Sequence, residues 1–513
     1  MLSQIMPSLS KLKLTNSFNW KRSYSTVKKV FKIIFVGNTR PRQMFNLYFY
    51  TLILGTILLM TPWATTKGQW IFLQALFTTG SAFSDTGLTV KSTANDFTFF
   101  GQFIILVLIK FGGVGLITVK LAVLSVFQFN RNPSLRERLL MQGERGSNKL
   151  GTTIDVLKVG IIVMTITEFL GAIVLFLYFY FVPNSNIAYG TGTSTHIYHE
   201  HVWLSLWGGI FHSVSAVNNA GFDIVGKNSL SAFQSDYFVQ WIFVTEFVIG
   251  GIGFPVFYDL YHWFKSKTHG KKFRFSLFTK ITATTYILVA VFGVGGVMFI
   301  EYFSRDFDTD SGMKPIFKDL STSDALMAAF FNTMSTRNAG FYTVDLNKFH
   351  VASQIIQSLM MWIGSSPAST AGGIRTTTLA IIILTIFSIA RGKNNVSAFK
   401  RKIPDDTVRM SFVIAFLGGF LVFLSVMIIA IENIFMNQNS SITFVQILYD
   451  VSSAFGTTGL SLFDNSKLGI VSQLSLILLM FVGQLGVSTT VLAWSDRKRK
   501  PTISRLEENV LIG

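Results

Sequence analysis

The sequence predicts an all-α polytopic membrane protein. We expect four repeats of helix, re-entrant pore half-helix and helix around a pseudo-fourfold pore, with eight transmembrane spans. Half of the 513 residues are hydrophobic and only 14% are charged, whereas a soluble domain has about 25% charged residues. Apolar segments recur in threes, and this triplet occurs four times. Each triplet carries a glycine-containing polar loop at the same place.

Each predicted repeat contains two long apolar segments and a short one between them. The long segments can cross about 30 Å of hydrocarbon, and the short segments of 11–15 residues cannot. The short segments therefore predict re-entrant half-helices. The repeats cover 44–127, 156–264, 275–390 and 408–494, between an N-terminal tail over 1–43 and a C-terminal tail over 495–513.

Charge predicts the orientation of the chain. The net charge is +18, and 31 of the 44 Lys and Arg residues lie in the two tails and in the loops between repeats. Cytoplasmic loops carry such an excess, so we expect cytoplasmic termini and glycine loops that enter from outside. The basic N-terminal tail is expected to lie on the anionic lipid surface, with docking to a cytoplasmic partner as the alternative. We expect no nucleic acid partner.

The loops after the half-helices carry the strongest functional signal. They read SDTGLT, NNAGFD, RNAGFYT and GTTGLS, and we call them glycine loops 1 (84–89), 2 (218–223), 3 (337–343) and 4 (456–461). Irregular backbone at membrane depth must be buried in protein or line a water-filled cavity. Carbonyl oxygens in such loops can replace the hydration shell of a cation. The predicted selectivity-filter residues are Thr86, Gly87, Asn219, Ala220, Gly221, Asn338, Ala339, Gly340, Thr458 and Gly459.

Two further features of the glycine loops follow from their position. Each half-helix directs its C-terminal partial negative charge at its loop, which favours a cation there. Asp85, Asp223 and Asp345 beside the loops either cap and order them or concentrate cations at the pore mouth. The loops also precede a later glycine by 24–29 residues, namely Gly112, Gly250, Gly364 and Gly483.

These segments resemble the potassium-translocating membrane subunits of the Trk/Ktr/HKT superfamily. The matching pieces are SAFSDTGLT, FHSVSAVNNAGFD, TRNAGFYTVD, SSAFGTTGLS and GSSPASTAGGIRTTT, and the likeness covers about 45–495. With four units and only a hydrophilic tail ahead of them, the chain is most similar to the Ktr-type subunit. The resemblance implies potassium uptake across the plasma membrane, passive or sodium-assisted, with no covalent cofactor and no enzymatic activity. It also implies a homodimer and a cytoplasmic ring of nucleotide-binding regulatory subunits, besides contact with membrane lipid.

The stretch 364–378, here called the polar segment, interrupts the second long segment of repeat 3. Its glycines and its proline disfavour a continuous lipid-facing helix. The resemblance implies that it is the gate, and a kink without a gating role is the alternative. The gate candidates within it are Gly364, Ser365, Ser366, Ser369, Thr370, Gly372, Gly373 and Arg375.

Three charged or polar residues complete the prediction. Gln484 stands where relatives place an arginine that helps to occlude the pore, and we include it with the gate. Lys110 is an intramembrane cation, which is costly and functional by default. It either takes over the role of that arginine or pairs with Glu246 or Glu168. Arg337 fits the family pattern and is expected to brace glycine loop 3, with Asp450 as the candidate acidic partner.

Two other functions are compatible with parts of the sequence. One is the translocating subunit of an ATP-driven potassium pump, which would need a separate ATPase chain because no Walker loop is present here. The other is a polytopic membrane enzyme that uses the cluster HIYHEH (196–201). Its spacing fits no standard zinc site. The chain has no cysteine, which excludes thiol chemistry and cysteine-ligated metals.

Overall fold

The computed structural model describes residues 40–68, 71–115, 153–183, 198–226, 228–307, 309, 312–393, 395–435 and 442–493. The predictions for residues 1–39, for the loop over 128–150, for His196 and for the C-terminal tail lie outside the described residues.

The described chain is helical, as the sequence predicts. In chain order the helices are α1 (Arg40–Leu59), α2 (Phe72–Phe83), α3 (Thr93–Asp96), α4 (Phe99–Val114), α5 (Thr153–Phe181), α6 (Val202–Val217), α7 (Tyr237–Ile252), α8 (Phe254–Thr268), α9 (Leu277–Phe303), α10 (Ile316–Asp319), α11 (Thr322–Ser335), α12 (Val351–Trp362), α13 (Thr376–Ala390), α14 (Asp405–Phe435), α15 (Phe444–Gly456), α16 (Ile470–Leu485) and α17 (Val487–Ala493). Strands β1 (Ser397–Ala398) and β2 (Arg401–Lys402) form a small antiparallel hairpin.

Length and composition identify the helices that can cross a membrane. Among the described residues, α5, α9 and α14 pass this test, and α7 with α8 adds a fourth span if that bent pair is counted as one. Helices α4, α13 and α16 are apolar but shorter. The structure therefore supports a helical membrane protein, and the number of eight spans stays a prediction.

Helices α2, α6, α11 and α15 occupy the segments predicted to be half-helices, and their packing follows a cycle. The helix after each glycine loop packs on the half-helix of the next repeat: α4 on α6, α7 on α11, α12 on α15, and α16 on α2. Polar contacts join the same neighbours. Trp207 Nε1 donates to Gln102 Oε1 at 2.8 Å, and Tyr237 Oη donates to Asp324 Oδ1 at 2.7 Å. The cycle brings the C-terminal ends of the four half-helices together.

The second long segments are broken where we expected mostly continuous helices. In repeats 1, 2 and 4 the helix ends at Gly115, Gly253 and Gly486, whose φ angles are 89°, 94° and 83°. Helices α7 and α8 meet at 96° across Gly253. A positive φ cannot continue a right-handed helix, and glycine adopts it without a Cβ penalty. Only the break in repeat 3 was predicted.

Candidate functional site

The glycines of the four loops meet in a closed ring of backbone contacts. A Cβ atom added to each glycine would fall against the carbonyl oxygen of the residue before the glycine of the next loop. The contacts are Gly87 to Ala220 at 2.6 Å, Gly221 to Ala339 at 3.1 Å, Gly340 to Thr458 at 2.1 Å, and Gly459 to Thr86 at 2.1 Å. The backbone adds a further restriction, since all four glycines have positive φ, between 68° and 97°. Only glycine suits these positions.

Each loop reaches the ring by the same backbone path. Two residues before each glycine, the chain takes a left-handed conformation with φ between 51° and 74°, at Asp85, Asn219, Asn338 and Thr457. The next residue donates its N–H to a serine carbonyl in the last turn of the half-helix, and this hydrogen bond is 2.8 Å in all four loops. The repeated geometry gathers four carbonyl-bearing loops at one point, with four half-helix C-termini behind them. Such a group of dipoles favours a cation.

A buried side chain in three of the half-helices braces the returning loop. His212 Nε2, Asn332 Oδ1 and Asp450 Oδ1 accept the backbone N–H that lies three residues after the loop glycine. The three distances are 3.2 Å, 3.1 Å and 2.9 Å. Asp450 also accepts a hydrogen bond from Ser461 Oγ in glycine loop 4. This makes Asp450 a brace of its own loop.

The expected pairing of Arg337 with Asp450 is wrong. Arg337 is fully buried, but its guanidinium carbon lies 5.0 Å from the centroid of the Tyr286 ring on α9. Its Nη1 donates to the carbonyl of Met360 at 3.4 Å. A cation over an aromatic face is attracted by the ring quadrupole. The Asp450 carboxylate is instead hydrogen-bonded within loop 4. The partner of Arg337 is Tyr286, which lies on α9, the first helix of repeat 3.

Four buried glutamines, which we did not predict, hold the chain between each loop and its following helix. Nε2 of each glutamine donates to two backbone carbonyls in that stretch, at distances from 2.7 to 3.5 Å. They are Gln102, Gln240, Gln354 and Gln473. Each precedes the later glycine of its repeat by 10 residues. That constant spacing was the available signal.

The polar segment lies against three of the glycine loops. Thr370 Oγ1 and the Asn219 side chain are hydrogen-bonded at 2.8 Å, which joins the segment to loop 2. Ser365 Oγ donates to the carbonyl of Arg337 in loop 3 at 3.1 Å. The Gly372 N–H donates to Thr457 Oγ1 of loop 4 at 2.8 Å.

The same segment is closely packed on its other side. The Phe254 N–H donates to the carbonyl of Ala368 at 3.1 Å, directly after the break at Gly253. Ser366, Gly372 and the residues between them are buried or nearly so. At the far end, Arg375 Nη1 donates to the carbonyl of Ala371. The polar segment is therefore a closely packed stretch of chain that contacts three of the four glycine loops.

Two predicted residues form polar contacts from helices α16 and α4. Gln484 Nε2 donates to Asp85 Oδ2 at 3.1 Å and to the carbonyl of Gly112 at 3.3 Å. Lys110 on α4 forms an ion pair with Glu168 on α5, so Glu168 is its partner, and not Glu246. Asp345 accepts the N–H of Asn347 at 2.9 Å and caps the turn after loop 3.

The histidine cluster has few described contacts. His199 Nδ1 lies 3.0 Å from the carbonyl oxygen of Tyr180. Within the part of the chain that the structure describes, no group of three or more His, Asp or Glu side chains is arranged to hold a metal ion.

Comparisons with known proteins agree with this architecture. The family model for the cation transport protein TrkH matches residues 43–502. An uncharacterised cation transporter of Mycoplasma pneumoniae is 32% identical over 94% of this chain and 97% of its own length. The Ktr system potassium uptake protein D of Bacillus subtilis is 32% identical, over 92% and 97% respectively. The crystal structure of the potassium transporter TrkH from Vibrio parahaemolyticus superposes with a TM-score of 0.62 at 15% identity, covering 96% of this chain and 95% of that one.

Proposed function

Because this chain belongs to the TrkH family of cation transport proteins and is a membrane subunit of the Trk/Ktr superfamily, we propose that it takes up potassium through a pore with four single-glycine filter loops. The observation that carries the proposal is the closed ring of Gly87, Gly221, Gly340 and Gly459. A ring of backbone carbonyls is the arrangement that replaces the water shell of a dehydrated cation. A relative named as a potassium uptake protein supports potassium as the transported ion.

The filter comprises these glycines and the residues beside them in each loop. Thr86, Ala220, Ala339 and Thr458 offer the carbonyl oxygens that line the ring, and Asn219 and Asn338 shape the turns below it. The half-helices add their C-terminal dipoles. Their braces, among them His212 and Asp450, keep the carbonyls in place while the ion exchanges water for protein oxygen.

The polar segment is proposed to be the gate. Its hydrogen bonds to loops 2, 3 and 4 support this proposal, because they hold the segment against three of the loops that form the ring. Opening requires the segment from Gly364 to Arg375 to leave these partners. Because the partners include Asn219 and Thr457, a moving segment also relaxes the turns that support the filter. Gln484 contributes a neutral amide that contacts Asp85 of loop 1, and the family resemblance implies an arginine in its place.

The wider assembly is part of the same proposal. The four repeats provide eight spans in the plasma membrane, with cytoplasmic termini, and the protein works as a homodimer. A cytoplasmic ring of nucleotide-binding subunits controls the gate, in keeping with a relative named as part of a Ktr system. Sodium is proposed to assist uptake. The same architecture serves as the translocating subunit of an ATP-driven pump, which is the competing assignment.

Ion flux in proteoliposomes tests the proposal. Purified protein is reconstituted, a potassium gradient is imposed, and uptake of potassium, rubidium and sodium is compared with and without external sodium. We expect potassium and rubidium uptake driven by the gradient alone, and stimulation by sodium. Uptake that requires ATP and a second chain would favour the pump. Equal uptake of all three ions would contradict a potassium filter.

A further inference from the structure

The ion pair between Lys110 and Glu168 lies between repeats 1 and 2. Lys110 Nζ contacts both carboxylate oxygens of Glu168 and is 2.5 Å from Oε2. Glu168 is buried, and the Lys110 side chain is one-third exposed. A buried carboxylate without a partner is strongly unfavourable, so the lysine is what permits Glu168 to be charged at this depth.

Glu168 also forms a hydrogen bond with glycine loop 2. Its Oε1 accepts a hydrogen bond of 2.8 Å from Asn218 Nδ2. Asn218 directly precedes Asn219, the left-handed residue of the loop, and it is completely buried. Its Nδ2 also donates to the carbonyl of Val214 at 2.7 Å. The Asn218 amide is thereby fixed between the half-helix and the carboxylate.

The helix that carries Lys110 also touches Asn218 directly. A Cβ atom at Gly113 would lie 2.3 Å from Asn218 Oδ1, so α4 and the Asn218 side chain are in close contact. On the other side, Ser213 Oγ donates to Glu246 Oε1 at 2.5 Å and lies 2.9 Å from the backbone oxygen of Glu168. A second buried carboxylate therefore adjoins the pair.

We propose that Lys110 is a positioning residue for glycine loop 2, acting through Glu168 and Asn218, and not a free positive barrier on the ion path. The inference rests on the proposed function, because its main readout is ion selectivity. Removal of the cation leaves the Glu168 carboxylate buried without a partner, so its side chain turns away from Asn218 toward water. The Asn218 amide then loses its acceptor, and the turn at Asn219 and Gly221 relaxes. The expected consequence is a less selective filter.

A charge-balance series in proteoliposomes tests this role. The variants are Lys110→Met, Glu168→Gln, their combination, and Lys110→Arg. We expect Lys110→Met to lower the ratio of potassium to sodium uptake severalfold and Lys110→Arg to retain it. The double variant should have a ratio of potassium to sodium uptake much closer to that of the wild-type protein than Lys110→Met has. Glutamine keeps an oxygen for Asn218, and no unpaired charge remains.

The matched control is Lys348→Met. Lys348 and Asp319 form a partly exposed ion pair between the turn after loop 3 and α10, and its loss should leave selectivity unchanged. A positive barrier predicts the opposite pattern for Lys110→Met, with higher flux at an unchanged uptake ratio and no recovery in the double variant. Either that pattern or unchanged uptake ratios in all variants would overturn this inference and leave the proposed function intact. Absence of potassium uptake by the wild-type protein overturns the proposed function, and the inference with it.

Discussion

Gln484 and Asp85 are 399 residues apart in the chain and share a hydrogen bond of 3.1 Å. Asp85 is the left-handed residue of glycine loop 1, and Gln484 lies near the end of α16, in the last repeat. The same amide donates to the carbonyl of Gly112. The contact therefore joins α16, near the end of the described chain, to glycine loop 1 and α4 near its beginning. It also positions a neutral donor beside a carboxylate and beside the proposed ion path.

A charge at this position should obstruct conduction. We expect Gln484→Arg to lower rubidium uptake about tenfold, which corresponds to about 1.4 kcal/mol in the barrier. Gln484→Met is the control, because it removes both hydrogen bonds and adds no charge. Uptake is measured in proteoliposomes with equal amounts of folded protein. Equal losses in both variants would assign the effect to the lost hydrogen bonds instead of the charge.

The ring glycines should tolerate no side chain. In Gly340→Ser and Gly459→Ser the new Cβ would lie 2.1 Å from a backbone oxygen of the next loop, and neither backbone can move without shifting its neighbour. We expect weaker potassium affinity and a lower potassium-to-sodium ratio in flux assays. Gly295→Ser on α9 is the matched control, since nothing lies within 4 Å of its Cβ position. Unaltered kinetics in both ring variants would contradict the carbonyl filter.

Shortening the polar segment should open the pore. Deletion of residues 366–370 removes the hydrogen bond between Thr370 and Asn219, along with most of the obstruction. We expect higher flux that no longer responds to the regulatory partner. Thr370→Val keeps the shape and removes the hydroxyl, and it should act in the same direction more weakly. Lost or unchanged flux in a folded, dimeric deletion variant would make the segment a structural kink.

The brace at Asp450 should depend on an acceptor rather than on charge. Asn332 accepts the corresponding N–H in repeat 3 with a neutral amide oxygen. Asp450→Asn should therefore cost little stability. Asp450→Leu leaves the Leu462 N–H buried without an acceptor and should cost about 1–3 kcal/mol. Thermal unfolding in detergent compares the two variants. Equal melting temperatures of Asp450→Asn and Asp450→Leu would contradict the bracing role of Asp450.

Single cysteines test the orientation. The native chain has none, so each introduced thiol reports alone. We expect a membrane-impermeant maleimide to label Lys67→Cys and Lys314→Cys from outside, and Lys267→Cys only from the cytoplasmic side. All three native side chains are exposed. Labelling of all three from one side would contradict the four-repeat topology.

Local sequence signals predicted much of this molecule. The half-helices and their glycines were recognisable because short apolar segments and Gly-Leu or Gly-Phe pairs repeat four times. The breaks at Gly115, Gly253 and Gly486 were missed, since hydropathy continues across them and only backbone conformation ends the helix. Each break lies three residues after Gly112, Gly250 or Gly483. This constant spacing is the signal in the sequence that could have revealed the breaks.

Long-range partners were harder to predict. Arg337 was expected to bind a carboxylate, but hydropathy and charge give no information about which buried group faces it. Its partner is the Tyr286 ring, 51 residues earlier in the chain. The sequence left two acids open for Lys110, and the ion pair between α4 and α5 identifies Glu168 as its partner. Which group faces a buried cation depends on how each helix is rotated about its own axis. That rotation is set by packing across the whole bundle.

The ring has a chemical asymmetry that a pore of four identical chains cannot have. Thr86 and Thr458 precede the glycines of loops 1 and 4, while Ala220 and Ala339 precede those of loops 2 and 3. Loops 4 and 1 are neighbours in the ring, as are loops 2 and 3. One half of the ring is therefore hydroxyl-bearing and the other half aliphatic. In the proposed filter, an ion at the centre would be surrounded by four unequal loops, and each loop can be changed by mutation independently of the other three.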